Sequence, residues 1–233
     1  MDDLVDYRMN EYGKNIYKAF EAELESNKYK LPECNYLEKV INQAKENSED
    51  IKGIRFKGCY EAHIDTNNFE FNTCEFNESI CLNARFNKVT FVDVVFEGCD
   101  FSNTDFSECN FIRVQFKNCK IVGCNFTHTF MQNTKFDNCN ASYANFALTN
   151  LQNTIFENSK LSNASIQEAY LKKVEFQYSN LIGIQLYKTN LTGIDFRTCD
   201  ITGIVVLPQD LRGIVVDEYQ AMELSKLLGI IVK

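Results

Sequence analysis

The sequence predicts an all-β solenoid, a chain wound into a square coil of twenty residues, and three observations predict it. Between Phe71 and Val216 an apolar residue returns at every fifth position, most often Phe, as in Phe71, Phe76, Phe86, Phe91, Phe96, Phe101, Phe106, Phe111 and Phe116. Two residues before each stands a smaller or β-branched one, such as Cys74, Ser79, Ala84, Val89, Val94, Cys99 and Thr104. Phe76, Phe96, Phe116, Phe136, Phe156, Phe176 and Phe196 recur at intervals of twenty, and Phe86, Phe106, Phe126 and Phe146 begin a second such column. A helix repeats near 3.6 residues and a strand at two, so a period of five requires the chain to turn a corner in every repeat. Four corners close one coil, and each coil buries its apolar side by stacking on the next. With neighbouring strands about 4.8 Å apart, roughly seven coils make a rod on the order of 35 Å long. The large residue is expected on the axis, the smaller one at the corner, and the other three positions, rich in Asn, Asp, Glu, Lys, Thr and Ser, in water. Phe136 should then resist truncation, whereas outward Asn138 should tolerate it.

Three segments follow in order: residues 1–50 as a helical N-terminal segment, 51–216 as the β-helix, and 217–233 as a short helix and strand. From Asp3 to about Ser26, Tyr12, Ile16, Phe20 and Leu24 recur at helical spacing. Leu31-Pro32 marks a break, and Leu37, Val40, Ile41 and Ala44 give a second helical stripe. Such helices either cover the first coil, whose bare strand edge invites aggregation, or recognise a partner. The segment holds seven basic and twelve acidic residues.

The solenoid is expected to start near Ile51, with Ile54, Phe56 and Cys59 in phase, and then to falter. Glu61 and Thr66 would point inward, whereas Ile64 and Phe69 fit the large position only in a frame shifted by two. Because a buried, unpartnered carboxylate is costly, the spacing predicts a small loop or bulge between Tyr60 and Glu70. Farther on, Asp93, Glu97, Asp100, Asp105 and Glu108 fall between Lys88 and Arg113 with no intervening base and make one band of the rod acidic, a candidate partner-binding surface. At the end, Asp217 suits an N-cap, Leu224, Leu227 and Leu228 form an apolar face, and Gly229 suits a left-handed stop, with Ile230 to Val232 as a final strand. Leu224, Leu227, Leu228, Ile230 and Val232 offer more apolar surface than one terminal coil can cover, which marks a candidate dimer interface.

Composition narrows the chemistry. Eight of the ten cysteines stand at the small inward position and Cys81 at the large one, where a thiol serves as a small hydrophobe rather than in a disulfide framework. The two histidines, His63 and His128, lie in different coils, no Cys/His spacing makes a zinc site, and no glycine loop cradles phosphate. Neither a cofactor, a metal nor a catalytic constellation is expected. A net charge of −8 opposes direct nucleic-acid binding, which needs basic neutralisation of phosphates. The acidic, charge-broken start excludes a secretory signal, and no run approaches the ~18 apolar residues of a membrane span, so the expected location is cytoplasmic.

Units such as Cys99-Asp100-Phe101, Thr104-Asp105-Phe106, Cys109-Asn110-Phe111, Ala144-Asn145-Phe146, Ser179-Asn180-Leu181 and Thr189-Asn190-Leu191 resemble those of the pentapeptide-repeat proteins. The resemblance implies a right-handed quadrilateral β-helix. The succession Asp210-Leu211-Arg212-Gly213, Asp217, Tyr219-Gln220-Ala221 and Leu228-Gly229-Ile230 resembles the end of the quinolone-resistance members of the Qnr type. That likeness implies a homodimeric rod, joined at this end, which mimics DNA in shape and charge and binds a type II topoisomerase, DNA gyrase or topoisomerase IV. The departures from those proteins are the absence of loops interrupting the repeat and the presence of N-terminal helices, which leave a scaffold for an unrelated partner, recognised through the helices, as the alternative.

Overall fold

The computed structural model describes residues 31–62 and 64–232. The helix expected from Asp3 to Ser26 lies outside the described residues.

One repeated backbone event builds the coil. At the second residue after nearly every large apolar position the chain enters the left-handed region, with φ of 53° at Thr73, 51° at Glu78, 55° at Asp93, 58° at Glu108 and 53° at Asn138. That conformation costs an ordinary L-residue about 1–2 kcal/mol, and Asn and Gly tolerate it best. Asn therefore fills the corner at Asn68, Asn83, Asn103, Asn118, Asn133, Asn138, Asn153, Asn158 and Asn163, and Gly fills others. The left-handed corner residue thus directly precedes a smaller residue, and the smaller residue is not itself the corner as the sequence suggested.

The smaller residue has another task. Thr104 Oγ1 donates to the Cys81 carbonyl at 2.7 Å, Cys124 Sγ to that of Phe101 at 2.9 Å, and Ser159 Oγ to that of Phe136 at 3.3 Å. Each bond reaches back twenty-three residues and ties one coil to the coil before it. A residue that is small, and that carries one hydrogen on sulfur or oxygen, meets both demands.

A coil such as residues 90–108 has four faces: face one around Phe91, face two around Phe96, face three around Phe101 and face four around Phe106. On faces one and two the chain runs extended through β8 (Thr90–Glu97), β9 (Asn110–Lys117), β10 (Phe130–Asp137), β11 (Asn150–Glu157) and β12 (Tyr170–Gln177), all paired in parallel with a shift of twenty residues. Faces three and four are held by single bridges such as Asp100↔Lys120 and Asp105↔Asn125. There an Asn or Asp before the large residue accepts the amide two positions on, as Asp100 does from Ser102 at 2.9 Å and Asn125 from Thr127 at 3.1 Å. Along the axis the rings of Phe116, Phe136 and Phe156 stack at 4.7–4.8 Å, nearly parallel.

Not every outward position is wet. Glu75, Val95 and Gln115, in mid-strand on face two, are buried, because long side chains of the same column, Arg55 and Lys135, lie flat along that face with side-chain exposures of 13% and 18%.

Among its described residues the first coil keeps its register, without a bulge. β2 (Ile51–Lys52), β3 (Arg55–Lys57) and β4 (Tyr60–Ala62) pair with β5 (Glu70–Asn72), β6 (Glu75–Asn77) and β7 (Ile80–Leu82), and Asp65 bridges Arg85. The loop expected between Tyr60 and Glu70 is unnecessary because Glu61, opposite Cys81, stays partly exposed in this terminal coil. Ile64 and Phe69 take the small position, and Thr66 is buried. Below this coil, β1 (Glu33–Cys34) pairs with β3 and covers part of the open edge. Helix α1 (Leu37–Asn47) adds Leu37, Ile41 and Ala44 to the core, and Lys45 Nζ donates to the Asp65 carbonyl at 2.9 Å.

The other end is closed by α2 (Glu218–Ser225). Asp217 accepts the Gln220 amide at 2.8 Å while the Gln220 side chain accepts the Asp217 amide at 3.1 Å, a reciprocal capping box. Gly229 ends the following turn at φ 73°. The strand expected at Ile230 to Val232 is not formed: these residues lack a neighbouring strand to pair with and are 51%, 82% and 56% exposed.

Candidate binding surface

The carboxylates singled out in the sequence occupy one coil but not one face. Asp93 stands at the corner between faces one and two, Glu97 on face two, Asp100 on face three, Asp105 on face four, and Glu108 at the corner leading back to face one. Fifteen residues of a twenty-residue turn separate the first from the last, so they ring three quarters of the rod, and a flat partner can meet only some of them.

Each is also engaged. Asp93 makes a two-pronged pair with Arg113, 2.5 Å from Nε and 2.7 Å from Nη2. Lys120 lies 3.0 Å from Asp100, and Lys88 3.6 Å from Glu108. Asp105 accepts from Asn87, Asn125 and the Ser107 amide at 2.9–3.0 Å. The Asn77 amide donates to Glu97 at 3.4 Å. Burial pushes the Asp100 carboxyl up, but the Ser102 hydroxyl and amide and the Lys120 ammonium outweigh it and hold Asp100 below the usual carboxylate range. Asp105 is held low in the same way: burial opposes, and Asn87, Ser107 and Asn125 prevail. Both stay ionised at neutral pH, but cations one coil away offset much of the ring's field. From Ile51 to Val216 there are fifteen basic and seventeen acidic residues.

Glu97 also borders a shallow groove of about 420 Å³ between faces two and three, with Lys57, Asn77 and Glu78 along it. At its floor Arg55 donates to Glu75 at 2.7 Å, with side-chain exposures of 13% and 6%, and Glu33 lies 3.5 Å away. The hydrogen bond to Glu75 raises the Arg55 pKa against its burial.

Of the apolar residues expected at a dimer interface, Leu224 is buried within its own chain at 7% exposure, whereas Leu227, Leu228, Ile230 and Val232 are 40–60% exposed. The pivotal residue here was not singled out. Gln220 is buried and its Nε2 donates to the carbonyls of Phe196 and Cys199, both at 2.8 Å, so α2 is pinned across the last ring of the column. A glutamine three residues after an Asp N-cap was the available signal.

Among the described residues, no group of three or more His, Cys, Asp or Glu could hold a metal ion, and no helix is long and apolar enough to cross a membrane. The sequence model of the family described as pentapeptide repeat region matches residues 65–146, 89–166, 109–186 and 129–206. No curated protein matches the sequence. Among solved structures, QnrB1, a plasmid-mediated fluoroquinolone resistance protein, is 20% identical over 77% of this chain and 99% of its own, with a TM-score of 0.46. HetL, a pentapeptide repeat protein of heterocyst differentiation regulation from the cyanobacterium Nostoc, is 12% identical over 77% of this chain and 94% of its own, with a TM-score of 0.44.

Proposed function

Since the chain belongs to the pentapeptide-repeat family, we propose that it is a cytoplasmic, non-enzymatic, homodimeric rod that binds a type II topoisomerase, DNA gyrase or topoisomerase IV, as a DNA mimic and lessens quinolone damage. The observation that carries this reading is the C-terminal end, where the sequence from Asp210 to Ile230 resembles that of Qnr-type proteins. There the turn and tail that follow α2 present Leu227, Leu228, Ile230, Ile231 and Val232 to solvent beyond the last coil. A two-fold contact is the commonest way to cover such an end, and it would double the rod. The unbroken column of rings and an excess of acidic residues then offer a long, weakly negative cylinder to a basic, DNA-handling groove.

The direct test is gyrase supercoiling with and without ciprofloxacin. The protein is expected to restore supercoiling in the presence of the drug; no change in either arm would sink the reading. The dispersal of Asp93 to Glu108 around the rod, each engaged by a neighbour, favours the second reading of a scaffold for another protein. In that case association would ignore charge and depend on residues 1–50.

A further inference from the structure

The strand ladder of faces one and two stops at β12. Every earlier coil is joined to the next on these faces, for instance by Thr73 N to the Val92 carbonyl at 2.9 Å and Val95 N to the Cys74 carbonyl at 3.1 Å. Between residues 170–178 and 190–198, all of them described, no backbone hydrogen bond forms and no strand pairing exists. At the two margins threonine hydroxyls bridge instead: Thr189 accepts the Ala169 amide at 3.3 Å and Thr198 the Tyr178 amide at 3.1 Å. The axis opens with it. Phe176 and Phe196 are 5.8 Å apart, against 4.7 Å for Phe136 and Phe156. Leu171 is half-buried, whereas its counterparts Leu151, Met131 and Phe111 are fully buried.

The sequence supplies the cause. Asn190 accepts the Thr192 amide at 3.0 Å and Asp195 the Arg197 amide at 3.0 Å. Those are the side-chain turns of faces three and four, here adopted on faces one and two. Beneath them β12 is extended. An amide bent toward a side chain in its own coil is unavailable to the carbonyl row below, so the two conformations cannot zip together. Faces three and four stay joined across the same level, by Leu181 N to Asp200 O at 2.8 Å, Gly183 N to Thr202 O at 2.9 Å and Val205 N to Ile184 O at 2.9 Å. The coils above are joined to each other, as by Phe196 N to Val215 O at 2.8 Å.

From this one-sided seam we infer that the C-terminal block from Asn190 onward, with α2, rotates about faces three and four and opens the rod along faces one and two. The block carries the exposed apolar end, so the hinge sets the angle at which that end leaves the main stack, whatever partner the rod has. The seam's edge is a row of β12 backbone groups that only this motion exposes or covers.

Hydrogen exchange on the full chain tests it. Amides of residues 171–177 should exchange at least tenfold faster than those of 151–157, and the double variant Asn190→Thr, Asp195→Val, which copies Thr90 and Val95 of β8, should bring the two sets together. Equal exchange in the unaltered chain overturns the seam. Motion is read separately by spin-label distances in a Cys34→Ser background. The pair Gln132→Cys and Arg212→Cys spans four coils across the seam, and Val92→Cys and Lys172→Cys spans four coils below it. The first pair should give a distance distribution at least twice as wide; equal widths overturn the hinge.

Discussion

Asn138 and Phe136 sit two residues apart and answer to different physics. Phe136 is fully buried between stacked rings, so Phe136→Ala removes a ring from a column that cannot collapse and should cost about 3–5 kcal/mol. Asn138 faces water, yet it holds a corner at φ 53° and donates to Asn118 at 2.7 Å. Asn138→Ala should therefore cost about 1–2 kcal/mol and Asn138→Gly less, while Lys160→Ala on the exposed surface should fall within about 0.5 kcal/mol of zero. Urea midpoints that rank Asn138→Ala with Lys160→Ala would contradict the corner assignment. At Gly123 a Cβ would stand 2.5 Å from Asn103 Oδ1, so the Asn103 side chain would have to swing aside to admit one. The thiols make a second prediction. Burial pushes Cys74 up to about 11 and Cys109 up to about 12, from 9.0. The unfolded chain then loses thiol protons before the folded one, so their contribution to stability is whole below pH 9 and is lost as pH climbs toward 11–12. The slope is about 1.4 kcal/mol per pH unit for each such thiol. Cys74→Ser with Cys109→Ser keeps the bond to the preceding coil and should flatten the decline between pH 9 and 10.5; an unchanged slope would refute the assignment.

Among elements, α2 depends on one side chain. Gln220→Ala leaves the Phe196 and Cys199 carbonyls without their donor and breaks the capping box, at a cost of about 2–4 kcal/mol. Limited proteolysis should then cut between Asp217 and Leu228 while the β8 to β12 stack survives; resistance equal to that of the unaltered chain would show that α2 is held otherwise. Elements were legible to differing degrees. The column from Phe76 to Phe196 could be read directly because periodicity reports burial. The left-handed corners could not, because Tyr143, Leu148 and Lys173 adopt them despite poor intrinsic preference. At Glu61 the sequence reading assumed a closed core around the first coil, and that coil is partly open. At Ile230 to Val232 it assumed a strand, and a strand needs a neighbour. The acidic residues were legible as composition, whereas their dispersal around the coil depends on faces that only the assembled square defines.

At the scale of the rod, charge and assembly can be tested apart. Asp100→Asn with Asp105→Asn removes two charges and preserves the turns, because Asn125, Asn140 and Asn145 accept the same amide in their own coils. If the ring contributes to recognition, gyrase binding should weaken in the variant and fall with salt, as screening within about 8–10 Å demands. Binding that is equal in both proteins and indifferent to salt would make the ring solvated surface. Removing Tyr219 to Lys233 should convert a dimer into a monomer or an aggregating rod. A full-length chain that sediments as a monomer at micromolar concentration would refute the end-to-end contact.

The shift of twenty that pairs each strand from β8 to β11 with its successor also fixes how such a chain can change length. Removing residues 119–138 would join Asn118 to Cys139 with every face in its old place, and a duplicated stretch of the same size would do likewise. A loss of five would turn everything downstream by a quarter, setting extended runs above bent ones. Copying errors in the underlying gene are therefore filtered by size, and lineages of such rods should lengthen and shorten in whole floors.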